Sequence, residues 1–461
     1  MSESIAKIVQ GSTAESPPAQ TTGLQETWRK AVSTAFFGFF LDIYDVFLPV
    51  IILAPAYAYF KPDTLNSPVL DSFIVASALL GRPAGALLFG FVSDRLGRKK
   101  VAALSLTGSG LCVLLTALLP GCATIGILSI ITLVTLRFLT GLFVGGQYTG
   151  AVTLAMEACP PRRRGFYGAF IGSSANLSFI AIAVLGIILM KLMPPHGVGS
   201  AYVDWGWRIP FVLGAAMTFL SRQKLLAEVE ESEQWLKSCT DQRTVGTILR
   251  QLEVGKIFQG FVLMNGMWLV YLVPAALVPA SLRTIDKLSG MSVAMVMLVA
   301  CAFTFIAYNI GGLISDRIGR RNAFVYQGIV AAVIGSALLY LLMSIPHPSV
   351  VTAGALESVI FFLCGLVWGS GPHSYLNERF HTDTRSSGYG IAFSFAIVIP
   401  AFFGVYQHVL ASIMPLRATP SVLLFIGAAI TVAAALAGPE TSLAGPFHIS
   451  TEKDQNYDAR R

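Results

Sequence analysis

Twelve nearly unbroken apolar stretches alternate with polar turns along this chain, at 32–58, 70–92, 101–120, 125–156, 166–190, 207–221, 257–281, 291–314, 323–345, 351–375, 387–411 and 420–438. A helix crossing the hydrocarbon layer of a bilayer takes about 20 apolar residues, a length that all but one of these stretches approach or exceed. The stretch 207–221 is short and carries Pro210 near its start, so its limits are the least defined. Backbone groups in lipid must pair internally, and continuous apolar runs of this length do so as helices. The pattern predicts an all-α membrane protein with twelve transmembrane helices.

The polar punctuation repeats. Ser93-Asp94-Arg95-Leu96-Gly97-Arg98-Lys99 follows the second stretch, and Ser315-Asp316-Arg317-Ile318-Gly319-Arg320-Arg321 follows the eighth. A basic turn recurring at the same topological place predicts two six-helix halves related by pseudo-two-fold symmetry about the membrane normal, with any ligand held between them. The longest polar stretch between spans, 222–256, marks the joint. The expected division is a flexible tail at 1–31, a first bundle at 32–221, a loop at 222–256, a second bundle at 257–438 and a tail at 439–461.

Composition agrees: 54% of residues are hydrophobic and only 12% charged, against about 25% charged in soluble domains. The net charge of +7 invites a nucleic-acid reading, but the placement of the 32 Lys and Arg residues excludes it. With the amino terminus in the cytoplasm, 24 fall in the tails and even-numbered loops, 6 in odd-numbered loops, and 2, Arg82 and Arg137, inside spans. This is the positive-inside pattern, and it predicts a plasma-membrane protein with both termini cytoplasmic. The six cysteines (112, 122, 159, 239, 301 and 364) have no metal-ligand spacing, so neither a metal nor a cofactor is expected.

Charges inside the spans are the strongest functional signal, because an ionised side chain at that depth costs several kcal/mol unless it has a partner or a wet cavity. Asp42 and Asp45, at i and i+3 near the middle of the first helix, lie on neighbouring positions of one face, and Arg137 lies at similar depth on the fourth. Two desolvated carboxylates tend to share a proton, and a nearby guanidinium opposes that. Asp42 and Asp45 with Arg137 are therefore the expected proton-coupling group. A fixed ion pair is the alternative. Arg82, ahead of Pro83, either bonds carbonyls at the kink, pairs with a first-helix Asp, or faces the cavity and favours an anion. Glu357 is read as a second proton site or as a wetted helix end.

Several motifs carry a family resemblance. Gly90 to Lys99 resembles the loop 2–3 signature of the major facilitator superfamily, and Gly312 to Arg320 resembles its second copy. Arg82-Pro83-Ala84-Gly85, Gly145-Gly146-Gln147, Glu157 with Arg163-Arg164-Gly165, and Trp207 to Phe211 resemble the metabolite:proton symporter branch, although that branch usually has Glu at the position of Gln147. Glu231 to Leu236 and Pro439-Glu440-Thr441 are similar to sugar-porter motifs, and Asp42-Ile43-Tyr44-Asp45 to a run in aromatic-acid:proton symporters.

The resemblance implies that helices 1, 4, 7 and 10 line the cavity. Tyr44, Gln147, Tyr148, Asn265, Trp268, Tyr271, Glu357 and Trp368, with Arg82, are then the expected substrate contacts. It also implies a cytoplasmic gate of Asp94, Arg98, Asp316 and Arg320, with Arg164 and Glu378 as partners. Pro274 and Pro279 are expected to bend helix 7. The expected function is proton-coupled import of a small organic solute, foremost a carboxylate, by a protein acting as a monomer. Its partners are substrate, protons and the bilayer, with no nucleic acid. A sugar or polyol symporter is the alternative, and a sensor on a transporter scaffold is the reading from another class. An enzyme is not expected, since no nucleophile–base pair appears in the spans.

Overall fold

The computed structural model describes residues 19–61, 68–238 and 253–442, and among them it is helical with no strand. Residues 1–18, 239–252 and 443–461, which hold much of the two expected tails, the centre of the expected loop and Cys239, lie outside the described residues. The apolar runs become α1 (Trp28–Tyr59), α2 (Ala76–Leu96), α3 (Arg98–Leu118), α4 (Leu128–Ala158), α5 (Pro161–Leu192) and α6 (Arg208–Glu228). The second set is α7 (Val254–Thr284), α8 (Gly290–Ile318), α9 (Arg320–Ser344), α10 (Val350–Arg379), α11 (Arg385–Ala411) and α12 (Leu416–Ala437). The expectation for α6 was too short: it runs on to Glu228 through Arg222 and Lys224, which end an apolar run but are good helix formers.

Surface and interior exchange their usual chemistry. Leu88, Leu115, Leu118, Val333 and Phe425 are at least half exposed, whereas Arg82, Arg98, Arg137, Arg320 and Arg385 are among the most deeply buried side chains. An apolar exterior around a charged interior is stable only where the surrounding solvent is hydrocarbon. The chain is a multi-pass membrane protein.

Small residues let the helices approach closely. Gly81 and Gly85 of α2 face Gly141 and Gly145 of α4 so tightly that a methyl group on Gly81 would lie 2.8 Å from the Leu142 backbone nitrogen. The same seam recurs between α8 and α10, where a methyl on Gly311 would lie 2.6 Å from the Leu366 carbonyl. The two halves meet where α2 packs on α11 and α5 packs on α8.

The helices that frame the centre are interrupted. Widened π turns occur at Pro49–Leu53 in α1, Tyr148–Val152 in α4 and Val273–Leu277 in α7. The break in α7 opens at Pro274, whose ring cannot donate to the helical ladder. In α10 the helix stops at Gly369 and restarts at Pro372 after Gly371, which has φ 91°.

Candidate functional site: a charged and aromatic centre between the halves

The α2–α4 seam sets the first element of the site. With Gly145 packed against the Arg82 carbonyl, α4 brings Tyr148 beside the Arg82 side chain. The Arg82 guanidinium lies 5.8 Å from the Tyr148 ring centre, and its Nε and Nη2 find no hydrogen-bond partner among the described residues. Asp42 of α1 is 1% exposed and lies in the field of Arg82, while the Gln147 amide nitrogen donates to Ser109 Oγ at 3.4 Å. Tyr271, from the other half, also lies in the field of Arg82. Arg82 thus faces the junction of the two halves.

Asp45 and Arg137 form a separate unit. Arg137 Nη1 donates to the Asp45 main-chain carbonyl at 2.7 Å, Nη2 donates to Thr140 Oγ1 at 3.3 Å, and the guanidinium lies 5.7 Å from the Phe211 ring centre of α6. A methyl on Gly214 of α6 would lie 3.0 Å from Asp45 Oδ1. The two aspartates therefore divide the arginines, Asp42 in the field of Arg82 and Asp45 tied to Arg137 through its main-chain carbonyl, rather than sharing Arg137. At about 100° per residue, Asp45 is turned some 60° from Asp42 and Tyr44 about 160°. This rotation corrects the expectation for Tyr44, whose hydroxyl donates to the Pro210 carbonyl at 3.2 Å inside the first bundle, away from the junction.

Aromatic rings close the centre. Trp268 and Trp368 lie 4.9 Å apart, with Tyr271 5.7 Å from Trp368, and the two indole N–H groups donate to the carbonyls of Phe393 and Met267. Phe393 of α11 bridges the halves, 5.1 Å from Tyr148 and 5.6 Å from Trp268. Phe39 of α1 lies 5.2 Å from His373, whose Nδ1 is 2.8 Å from the Tyr389 hydroxyl. Phe39, His373, Tyr389 and Phe393 were not singled out in the sequence. Aromatic residues are frequent in spans, and α11 was not among the helices read as lining the centre.

Two expected contacts are placed differently. Asn265 turns its Nδ2 back to the Phe261 carbonyl of its own helix at 2.9 Å, leaving Oδ1 without a partner. Glu357 is not at a wetted helix end: it is 0% exposed, both its oxygens lack partners, and Cys301 and Cys364 lie in its field.

The end of the bundle bearing the repeated turns is closed by two related networks. Asp94 accepts from the Ser386 and Ser387 backbone N–H groups at 3.1 and 2.9 Å and from the Ser387 hydroxyl at 2.6 Å, at the amino terminus of α11. Arg98 lies 3.4 Å from both Asp94 and Glu157 and donates to the Thr382 carbonyl at 2.6 Å, while Arg385 pairs with Glu157 at 2.6 Å. In the second copy Asp316 accepts from the Gly165 and Phe166 N–H groups at 2.8 and 2.9 Å, at the start of α5. Arg320 pairs with Asp316 at 2.7 Å and with Glu378 at 3.4 Å. Arg164 donates to the Met156 and Cys159 carbonyls, tying α5 to the end of α4.

Each repeated turn also has a carboxylate cap, as Glu231 accepts from the Arg98 and Lys99 N–H groups and Glu440 from those of Arg320 and Arg321. Gly97 and Gly319, with φ 106° and 95°, make these approaches possible, since a side chain there would be strained and would strike the capping carboxylate. Glu157 and Arg385 extend the network across the halves. Glu157 was readable beforehand only as a motif residue, and nothing in the spacing marked Arg385.

Known proteins share this architecture. The chain is 27% identical to a citrate-proton symporter of Klebsiella pneumoniae over 388 residues, covering 81% of this chain and 83% of that one. It is 27% identical to the alpha-ketoglutarate permease of Escherichia coli (strain K12) over 367 residues, covering 78% and 81%. The proton:xylose symporter XylE, solved with 6-bromo-6-deoxy-D-glucose, has the same fold, with a TM-score of 0.72 at 19% identity over 89% of this chain and 95% of that one. A family model matches residues 33–405, and on that match the chain belongs to the Major Facilitator Superfamily.

Proposed function

We propose that this protein is a proton-coupled symporter that imports a small organic anion by alternating access, with Asp42 carrying the proton and Arg82 receiving the anion. The observation that carries the reading is the burial of Asp42 and Arg82 within each other's electrostatic field where the halves meet. Relatives named as citrate-proton symporters and an alpha-ketoglutarate permease support the chemical class. The basic turns support a cytoplasmic closed end, with both termini on the same side of the plasma membrane. The protein works as a monomer, each half supplying one wall of the site.

Charge balance supplies the coupling. Empty, the Asp42 carboxylate and Arg82 guanidinium sum to zero. With a proton on Asp42 and an anion on Arg82 the sum is again zero. A proton alone leaves +1 and an anion alone leaves −1, and enclosing either net charge in the bundle costs several kcal/mol. The halves therefore rock in the empty and fully loaded states. Asp45 and Arg137 brace the first half.

The test is uptake of labelled organic acids into proteoliposomes under an imposed proton gradient. In Asp42→Asn the loaded site is neutral but the empty site keeps +1, so exchange of internal for external substrate persists while uphill accumulation is lost. Asp45→Asn retains accumulation. Wild-type accumulation in Asp42→Asn would overturn the assignment, and uptake blocked by hexoses but not by acids would favour a sugar porter.

A further inference from the structure

Resting on that reading, we propose that the proton on Asp42 leaves towards the cytoplasm through the Tyr389 hydroxyl and the His373 ring, and that separation of α5 from α10 lets it out. Tyr389 and His373 belong to the second half, so the proton changes halves before its release. His373 is 1% exposed, and its Nδ1 lies 2.8 Å from the Tyr389 hydroxyl, within reach of proton transfer. Its Nε2 is buried without a partner. Imidazole can take a proton at one nitrogen and lose one from the other, so a ring with one nitrogen bonded and the other unspent has the form of a carrier.

One end of this chain of groups lies at Asp42. Tyr389 is in the field of Asp42 and of Tyr148. Phe39, one turn before Asp42 on α1, lies 5.2 Å from the His373 ring, and Phe393 stands 5.1 Å from Tyr148, 5.4 Å from Tyr389 and 5.2 Å from His373. The start of α1 is at the end bearing the repeated turns, where Trp28 lies 4.8 Å from Tyr167 of α5. His373 is thus displaced from Asp42 towards the gate.

The other end lies under α5. A methyl on Gly172 would lie 3.2 Å from His373 Nε2, so α5 covers that nitrogen. Gly165, whose N–H donates to Asp316, is about 10 Å back along the same helix. Release of Asp316 therefore frees the stretch of α5 that shields Nε2. The groups packed on the ring are Phe39, Tyr389, Phe393 and, across Gly172, Tyr308 of α8, and none of them is charged. No fixed charge traps a proton on the ring.

The transfer balances. Asp42 gives its proton to the Tyr389 oxygen as the Tyr389 hydroxyl proton passes to His373 Nδ1, and the Nε2 proton of the resulting imidazolium passes to water once α5 withdraws. One O–H bond breaks at Asp42 and one forms at water, with no oxidation or reduction. While the centre is enclosed, the proton only moves within it, so the sum of charges in the loaded site stays at zero. The ring regains its first tautomer by exchange with water in the open state.

Proteoliposomes holding the full-length protein test this with labelled lactate, alpha-ketoglutarate and citrate. For each acid that the wild type accumulates, net proton-driven uptake is compared with exchange of internal for external acid, which needs no proton release. His373→Gln can bond Tyr389 but carries no proton, and it is expected to slow net uptake at least about tenfold more than exchange. Tyr389→Phe, which keeps the ring and removes the link, gives the same split. Imidazole enclosed in the vesicles restores net uptake to His373→Ala and does nothing for Asp42→Asn. Net uptake in His373→Gln equal to wild type, or falling only in step with exchange, would overturn the relay; if Asp42→Asn still loses accumulation, symport stands. Accumulation that survives in Asp42→Asn, or wild-type vesicles that accumulate none of the three acids, would sink symport and the relay with it.

Discussion

Glu357 shows how much a single side chain can carry. It is fully buried in α10 with no hydrogen-bond partner, and the groups in its field are thiols rather than cations. A buried carboxyl with no counter-charge is destabilising for the bundle. Glu357→Gln is therefore expected to leave thermal stability in detergent unchanged or raised by about 1 kcal/mol, and a clear fall in melting temperature would show that the carboxyl has a partner. The sequence made such residues legible because charges in spans are rare. Their pairings were not legible, since the difference between Asp42 and Asp45 is a rotation of about 60° that only neighbouring helices resolve. His373 and Tyr389 stayed hidden because a hydrogen bond between α10 and α11 leaves no local pattern.

At the scale of elements, hydropathy located the spans well, and it failed where helix continues past the lipid, as in α6. The glycine seams were readable only as packing surfaces, without partners. Gly145 now has a definite one: a side chain there collides with α2 backbone at Arg82 and Ala86. Gly145→Val should destabilise the folded protein by roughly 2 kcal/mol or more and, by pushing Tyr148 from Arg82, weaken substrate binding in whatever folds. Measured melting temperature and affinity equal to wild type would show that α4 can shift without consequence. The breaks in α1, α4, α7 and α10 lie on the helices that frame the site, where a weakened ladder bends at low cost.

For the whole molecule, the duplication was legible in one repeated heptad, yet which half each carboxylate serves was not. Both aspartates cross to the opposite half, Asp94 to the start of α11 and Asp316 to the start of α5. In the proposed cycle these bonds hold the cytoplasmic side shut and must break for release. Asp94→Asn is expected to lower the maximal transport rate several-fold, with substrate affinity changed little, because the site lies elsewhere. Initial-rate kinetics check this, and an unaltered rate would argue against a gate.

The two fastenings are unequal. Asp94 is wholly enclosed and reinforced by the Glu157–Arg385 bridge, whereas the Asp316 side chain remains 12% accessible. In the proposed cycle water from the cell interior reaches the Asp316 fastening before the Asp94 one, so the doorway is expected to come ajar first along α5 and α8.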